Sequence, residues 1–402
     1  MQKVFRDSVH GDIFFEKDMF VEILNTPEMQ RLRRIFQLGG SQFAFSSATH
    51  TRFMHCIGVY EVVNQFINLS QFNSIDEKEK DLIKLAGLMH DIGHGPFSHT
   101  FEKVSNKSHE EYSAEIISNK KGNIRPILEK YQINPDEVIS ILKGKHPKKQ
   151  LNLLISSQLD ADRIDYLKRD SYNCGVNYAS LDTSFLIRNA KLIDDKIVYP
   201  IKTVYAIESY LLGRYHMYKQ VYEHKASIAF DTHFRTLFLR LKDLYDLNFK
   251  FKEKRISKYF YSMFDRGEIP VDLYLELDDM TTIDIIKNLV KENDEILSDL
   301  ANRILNRQFF NFKVADEFKA KEIKNKLKAK GLDLKYYFIE FKPKKTLIYK
   351  DGVIDGKDQS IYIQDWNGKI KSFNEFSLLA NTIKEIEHEK IAKKYLFPKE
   401  MV

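Results

Sequence analysis

Histidine is concentrated in one part of this chain. Six of its 12 histidines fall between His50 and His109, and eleven precede residue 234. The densest segment runs Leu88-Met89-His90-Asp91-Ile92-Gly93-His94-Gly95-Pro96-Phe97-Ser98-His99. His90 and Asp91 adjoin at the end of an apolar helical pattern, and the glycine turn behind them brings backbone and later histidines close. Imidazole beside carboxylate is a donor set for a borderline divalent ion, with Mn, Fe, Mg, Ni and Zn all candidates.

Two further donors follow from helical phase, and with them the elements that must carry the site. A helix is expected from about Arg52 to Leu69, with Val59, Val62, Val63 and Phe66 as its buried stripe. His55 lies four residues before Val59 and so projects from the same face. A second helix should start at Ser74, with Glu77 closing a capping box, and carry Leu82, Leu85, Ala86 and Met89 inward. A third is expected from about Lys149 to Asp170, with Leu151, Leu154, Ile155 and Leu159 inward. At ~100° per residue from Leu151, Asp162 falls in line with that stripe and Asp160 opposite it. Asp162 is therefore the expected inward ligand and Asp160 a solvated residue. Either His55 or Asp162 alone reads more simply as a buried side chain satisfied by protein hydrogen bonds. Four metal-type donors converging from three helices reverse that balance.

Composition sets the frame. A chain of 402 residues, 43% of them apolar, can bury at least one large core. The formal charge of +6 favours phosphate-bearing partners without making the chain a nucleic-acid binder. The lysine runs 143–149 and 319–330 read first as solvated faces. Cys56 and Cys174 form no disulfide framework, and Cys56 reads as a small buried hydrophobe. The charged N-terminus and the lack of a run of ~20 apolar residues point to a soluble, cytoplasmic protein with no membrane partner. The expected fold is mainly α: a helical core over 1–245, with its signature in 50–175, and a smaller α+β lobe over 246–402 serving oligomerisation or regulation. The lobe should hold β-like runs near Lys335–Phe341, Thr346–Tyr349 and Ser360–Gln364. Asp351-Gly352 and Asn367-Gly368 are its turn signals.

The pattern His55, His90-Asp91, Asp162 resembles the H…HD…D signature of the HD-domain phosphohydrolases. The likeness extends to their deoxynucleoside triphosphate triphosphohydrolase branch through Asn25-Thr26-Pro27 to Arg33, Gln37-Leu38-Gly39-Gly40 and His50-Thr51-Arg52-Phe53-Met54-His55. It continues through Gly87 to His99, Asp162-Arg163-Ile164-Asp165-Tyr166 to Asp170, and Tyr222-Glu223-His224-Lys225. It covers roughly residues 3–235.

That resemblance implies an HD-type helical core and hydrolysis of a dNTP to deoxynucleoside and tripolyphosphate. It makes His55, His90, Asp91 and Asp162 ligands of one divalent metal, with a second Mg accompanying the substrate phosphates. His94 becomes the acid or base beside the α-phosphate, oriented by Glu102 and His109, with Glu102 standing where the family has aspartate. Arg52, His99, Arg163 and Arg214 become phosphate contacts; Arg163 replaces a lysine. Gln37, Leu38, Tyr166, Asp170 and Tyr222 become the sugar and base pocket, Asp170 accepting from the 3′-hydroxyl and Tyr166 excluding a 2′-hydroxyl. Lys3, Asn25, Gln30 and Arg33 match a regulatory site where GTP or a dNTP orders a homo-oligomer, a tetramer or dimer; Asn25 replaces an aspartate there. The plain alternatives are surface ion pairs for Arg52 and Arg163 and core packing for Tyr166 and Tyr222. His94 is expected to titrate near neutrality. Competing functions are HD chemistry on an alarmone, a cyclic nucleotide or a nucleic-acid end, and a binding module with a vestigial site.

Overall fold

A computed structural model describes residues 3–342, 348–349, 351–354, 357–379 and 393–401 of the chain. It is mainly α with small sheets, as expected. The Arg52–Ile67 helix is buried on nearly every side, Arg52 and His55 included. It packs between the Glu77–Met89 and Ala161–Cys174 helices, so the three ligand-bearing segments meet around one element. The Val204–Met217 helix joins the same core.

Local signals were right in kind and shifted in register. The Glu77–Met89 helix is capped two residues later than the Ser74 pattern predicts. Asp76 accepts from Glu79 N at 2.9 Å, and Glu79 accepts from Asp76 N at 3.0 Å. Ser74-Ile75-Asp76-Glu77-Lys78-Glu79 satisfies the capping-box pattern twice, and the later register leaves Ile75 buried just ahead of the cap.

The predicted helix from Lys149 to Asp170 is two helices, Lys149–Leu153 and Ala161–Cys174, joined by an irregular loop. Asp160 is the cap of the second. Its carboxylate accepts from Arg163 N and Ser157 N, each at 2.7 Å, and the residue is 2% exposed rather than solvated. Unpaired amide donors at a helix start attract a carboxylate even into a buried position.

The strands Lys3–Asp7 and Gly11–Phe15 form an antiparallel hairpin, Lys3 facing Phe15. A four-stranded sheet runs Ile370–Ser372, Tyr362–Gln364, Lys196–Pro200, Lys191–Ile193, so the late chain returns to pair in parallel with the early chain. Ile361, Ile363 and Phe373 accordingly belong to the first core. A second core gathers the Lys225–Asp246, Arg255–Arg266, Asp279–Leu289 and Glu295–Leu305 helices around Phe97, Phe101 and Tyr112. A third, small sheet orders Asn311–Val314, Lys394–Phe397, Ile339–Phe341. The expected strand Lys335–Phe341 is thus half helical turn, Leu334–Tyr337, and half strand. The Ser360–Gln364 run holds the strand Tyr362–Gln364, and Asn367-Gly368 lies in its hairpin turn, Gly368 at φ +81°. Of Thr346–Tyr349, residues 346 and 347 lie outside the described residues, and Ile348 and Tyr349 are not in a strand. No helix among the described residues is long and apolar enough to cross a membrane.

Candidate metal centre and catalytic cleft

The three helices bring His55, His90, Asp91 and Asp162 together. His55 lies in the first turn of its helix, His90 and Asp91 follow Met89, and Asp162 lies in the first turn behind its Asp160 cap. The Nε2 atoms of His55 and His90 stand 3.1 Å apart. Asp162 Oδ1 lies 3.0 Å from the first and 3.6 Å from the second. Asp91 Oδ1 is 3.4 Å from His90 Nε2, and its Oδ2 is 3.6 Å from His55 Nε2.

The far side of each ring explains this aim. His55 Nδ1 donates to Asp165 Oδ2 at 2.7 Å, and His90 Nδ1 donates to Gly87 O at 2.9 Å. A carboxylate and a carbonyl only accept, so both Nδ1 atoms carry hydrogen and both Nε2 lone pairs are free for a ligand. Two lone pairs facing each other between two carboxylates call for positive charge. Burial by itself would lower the His55 pKa, but Asp162 and Asp165 outweigh it and push it up to about 10. A proton thus fills the role of a cation, and the donor set fits a divalent metal. His55, His90 and Asp91 supply ligand atoms within 4.8 Å of one another.

Behind His55 lies a network absent from the expected site. Asp165 is fully buried and accepts from His10 Nε2 at 2.7 Å and from Arg169 Nε and Nη2, both at 2.9 Å. Arg169 continues to Asp7 on the N-terminal hairpin, at 2.7 Å. Gly58 makes room for it: a Cβ there would lie 1.9 Å from Asp165 Oδ1 and 2.3 Å from Arg169 Nη2. Asp165 and Arg169 were legible as an i,i+4 charge pair inside the Asp162 segment. Asp7 and His10 carried no local signal.

A cleft of about 480 Å³ runs past Asp91 and Asp162. Gln37, Leu38, Arg52, His99 and Arg163 line it, and so do Tyr166, Asp170 and Tyr222. Arg52 is no surface ion-pair partner. It is buried, bonds Asp91 Oδ2 through Nη1, and donates to Ser98 Oγ at 2.9 Å and Gln37 O at 3.2 Å. Asp170 accepts from Tyr222 OH and meets His50 Nε2, both at 2.8 Å; His50 was also missed. Arg214 is not in the cleft. Its guanidinium donates to Gln158 Oε1 at 2.6 Å and Ile348 O at 2.8 Å.

His94 is fully buried, stacks face to face on His109 at 4.0 Å, and sits 3.2 Å from Asp91 Oδ1. Glu102 does not touch it. Glu102 bonds the His109 ring and meets His99 Nδ1 at 3.2 Å, so it acts on His94 only through the stacked His109. Burial, with the charges of Arg52 and His109, holds the His94 imidazole well below its usual range. This environment moves the ring away from the expected titration near neutrality. Burial opposes the charged forms of Glu102 and His109, but each stabilises the other: the Glu102 pKa is lowered and that of His109 raised. The turn needs Gly93, where a Cβ would lie 2.2 Å from His109 O.

The N-terminal set also clusters. Lys3 Nζ donates to Asn25 Oδ1 at 2.7 Å, Arg33 Nε to Gln30 Oε1 at 2.9 Å, and the Arg33 guanidinium lies 3.6 Å from the Phe53 ring centre.

Comparison with known proteins agrees with this geometry. Residues 52–170 match the HD domain family, and residues 181–241 match the HD associated region. Over its full length the chain is 34% identical to the uncharacterised protein YwfO of Bacillus subtilis, covering 93% of it. It is 32% identical, over 56% of its length, to the deoxynucleoside triphosphate triphosphohydrolase SAMHD1 homolog of Dictyostelium discoideum, and spans 46% of that relative. A phosphohydrolase structure from Bacteroides thetaiotaomicron matches with a TM-score of 0.83 at 30% identity, with 99% of this chain and 100% of that one covered.

Proposed function

The chain belongs to the HD-domain phosphohydrolase superfamily, and from that premise we propose that it is a metal-dependent deoxynucleoside triphosphate triphosphohydrolase, converting dNTP and water to deoxynucleoside and tripolyphosphate. The observation that carries this reading is the meeting of two imidazole Nε2 atoms and two carboxylates on the wall of a cleft that also holds Arg52, Arg163, Asp170, Tyr166 and Tyr222.

His55, His90, Asp91 and Asp162 would hold one divalent ion, which supplies a lowered water pKa and charge neutralisation at the α-phosphate. Arg52, His99 and Arg163 bind phosphate oxygens; the fork geometry of the arginines suits two oxygens at once. His94 is the proton-transfer group. Its ring nitrogens have no hydrogen-bond partner in the protein, although the residue is buried, which suits a group that meets its partner in the substrate. The Glu102–His109 pair positions that ring by stacking. Tyr166 packs against the sugar edge, and Asp170, held by His50 and Tyr222, accepts from the 3′-hydroxyl.

Lys3, Asn25, Gln30 and Arg33 are the site for an activating GTP or dNTP in a homo-oligomer, with 246–402 as the lobe that supports assembly. The test is mass spectrometry of products from each dNTP and NTP with Mn or Mg, with and without GTP or dGTP. Deoxynucleoside plus intact tripolyphosphate is expected. Stepwise loss of monophosphate, or turnover of cyclic nucleotides or alarmones alone, would refute it.

A further inference from the structure

A second cavity, of about 460 Å³, is nearly as large as the catalytic cleft and shares no lining residue with it. Its walls are the Lys149–Leu153 helix and the loop after it, the Asp194-Asp195 turn with Lys196, and the chain around Tyr362.

We propose that this cavity is a second nucleotide site. Lys149 and Lys196 line the cavity, and neither has a carboxylate within ion-pair distance among the described residues, which leaves both cations able to meet a phosphate. The Lys196 ammonium sits 4.4 Å from the centre of the Tyr362 ring, which sets a cation and an aromatic surface side by side. Phosphate and base need that pairing, since bases stack on aromatic rings. The Asp194 and Asp195 carboxylates on the same wall accept from base amino groups. Tyr199 also lines the cavity and is 2% exposed.

The site is wired to the metal centre. Ser156 is a wall both of this cavity and of a recess of about 100 Å³ lined by His90, Asp91 and Asp162. The next residue, Ser157, donates its amide to Asp160, whose carboxylate caps the helix that carries Asp162. A nucleotide resting on this loop acts on Asp162 and Arg163 through one cap. This site is distinct from the Lys3, Asn25, Gln30 and Arg33 cluster and does not depend on which bond the enzyme breaks.

The experiment is hydrogen exchange by mass spectrometry on the full chain with metal. The ligands are the α,β-imido analogues of GTP and dGTP and, separately, tripolyphosphate. The nucleotides should slow exchange in 149–160, 193–199 and 360–364. The Lys149→Ala/Lys196→Ala double variant should weaken that protection about tenfold or more while keeping protection of 163–174 in the cleft. Tyr362→Leu should do the same without changing a charge. Protection confined to the cleft at millimolar nucleotide, protection equal in the variants, or protection by tripolyphosphate alone would each overturn the proposal.

Discussion

Asp165→Asn should weaken metal binding without touching a metal ligand. Asp165 is fully buried and accepts four hydrogen bonds: from His10 and His55 at 2.7 Å each, and two from Arg169 at 2.9 Å. Asparagine keeps the shape but replaces one accepting oxygen with a donor. Either His55 Nδ1 loses its acceptor, or Arg169 and His10 face an amide N–H. Breaking a buried ion pair on one side costs about 3–5 kcal/mol of folding stability. Removing the carboxylate behind a ligating imidazole costs about 10–100-fold in metal affinity, or roughly 1.4–2.7 kcal/mol. The control is Asp7→Asn, which disturbs the other end of Arg169 and leaves the His55–Asp165 bond intact. Both variants should melt earlier. Chelator competition with Mn or Zn on folded protein should show a loss of affinity for Asp165→Asn and a change within about twofold for Asp7→Asn. Equal loss in both, or none in Asp165→Asn, would refute the claim that Asp165 aims His55.

Three further variants separate site from scaffold. Burial lowers the His233 pKa from 6.5 to about 4, its Nδ1 donating to Ala229 O at 2.9 Å. The unfolded chain therefore binds the proton more readily. This stability is intact above about pH 6.5 and is lost as pH falls towards 4, about 3 kcal/mol in all. His233→Phe should flatten the fall of Tm between pH 7 and 4.5; an unchanged slope rules His233 out. Arg163→Ala should lower kcat/KM about 10–100-fold through a lost charge-assisted phosphate contact. Arg214→Ala should lower Tm with less effect on kcat/KM, because its partners are Gln158 and Ile348 O; the reverse ranking would return Arg214 to the substrate.

Asp162 faces the histidine cluster as expected, but the path that placed it there was faulty. The wheel from Leu151 assumed a helix that the loop 154–160 interrupts, so phase counted across it has no meaning. Asp162 points inward because the Asp160 cap sets a new register two residues before it. That cap was the residue assigned to solvent. Cap and break were indistinguishable by periodicity, since the apolar residues Leu151, Leu154, Ile155 and Leu159 are buried in either arrangement. Arg214 lies outside the cleft lining for a different reason: a long side chain on a buried helix has several partners within reach, and only packing chooses among them.

The amino-acid sequence alone determined the His90-Asp91 pair and its glycine turn, the Arg52–Ile67 helix with His55 on an inward face, and the predominance of helix. These depend on interactions within a few residues, where spacing is geometry. Tertiary structure decided that Asp7, over 150 residues away, would steady the partner of His55, that His94 would be a fully buried ring, and that Tyr362 would return beside Lys196. Each of these follows from excluding water between segments remote in the chain. Burial sets which charges must pair and which protons are held, and no local pattern encodes it.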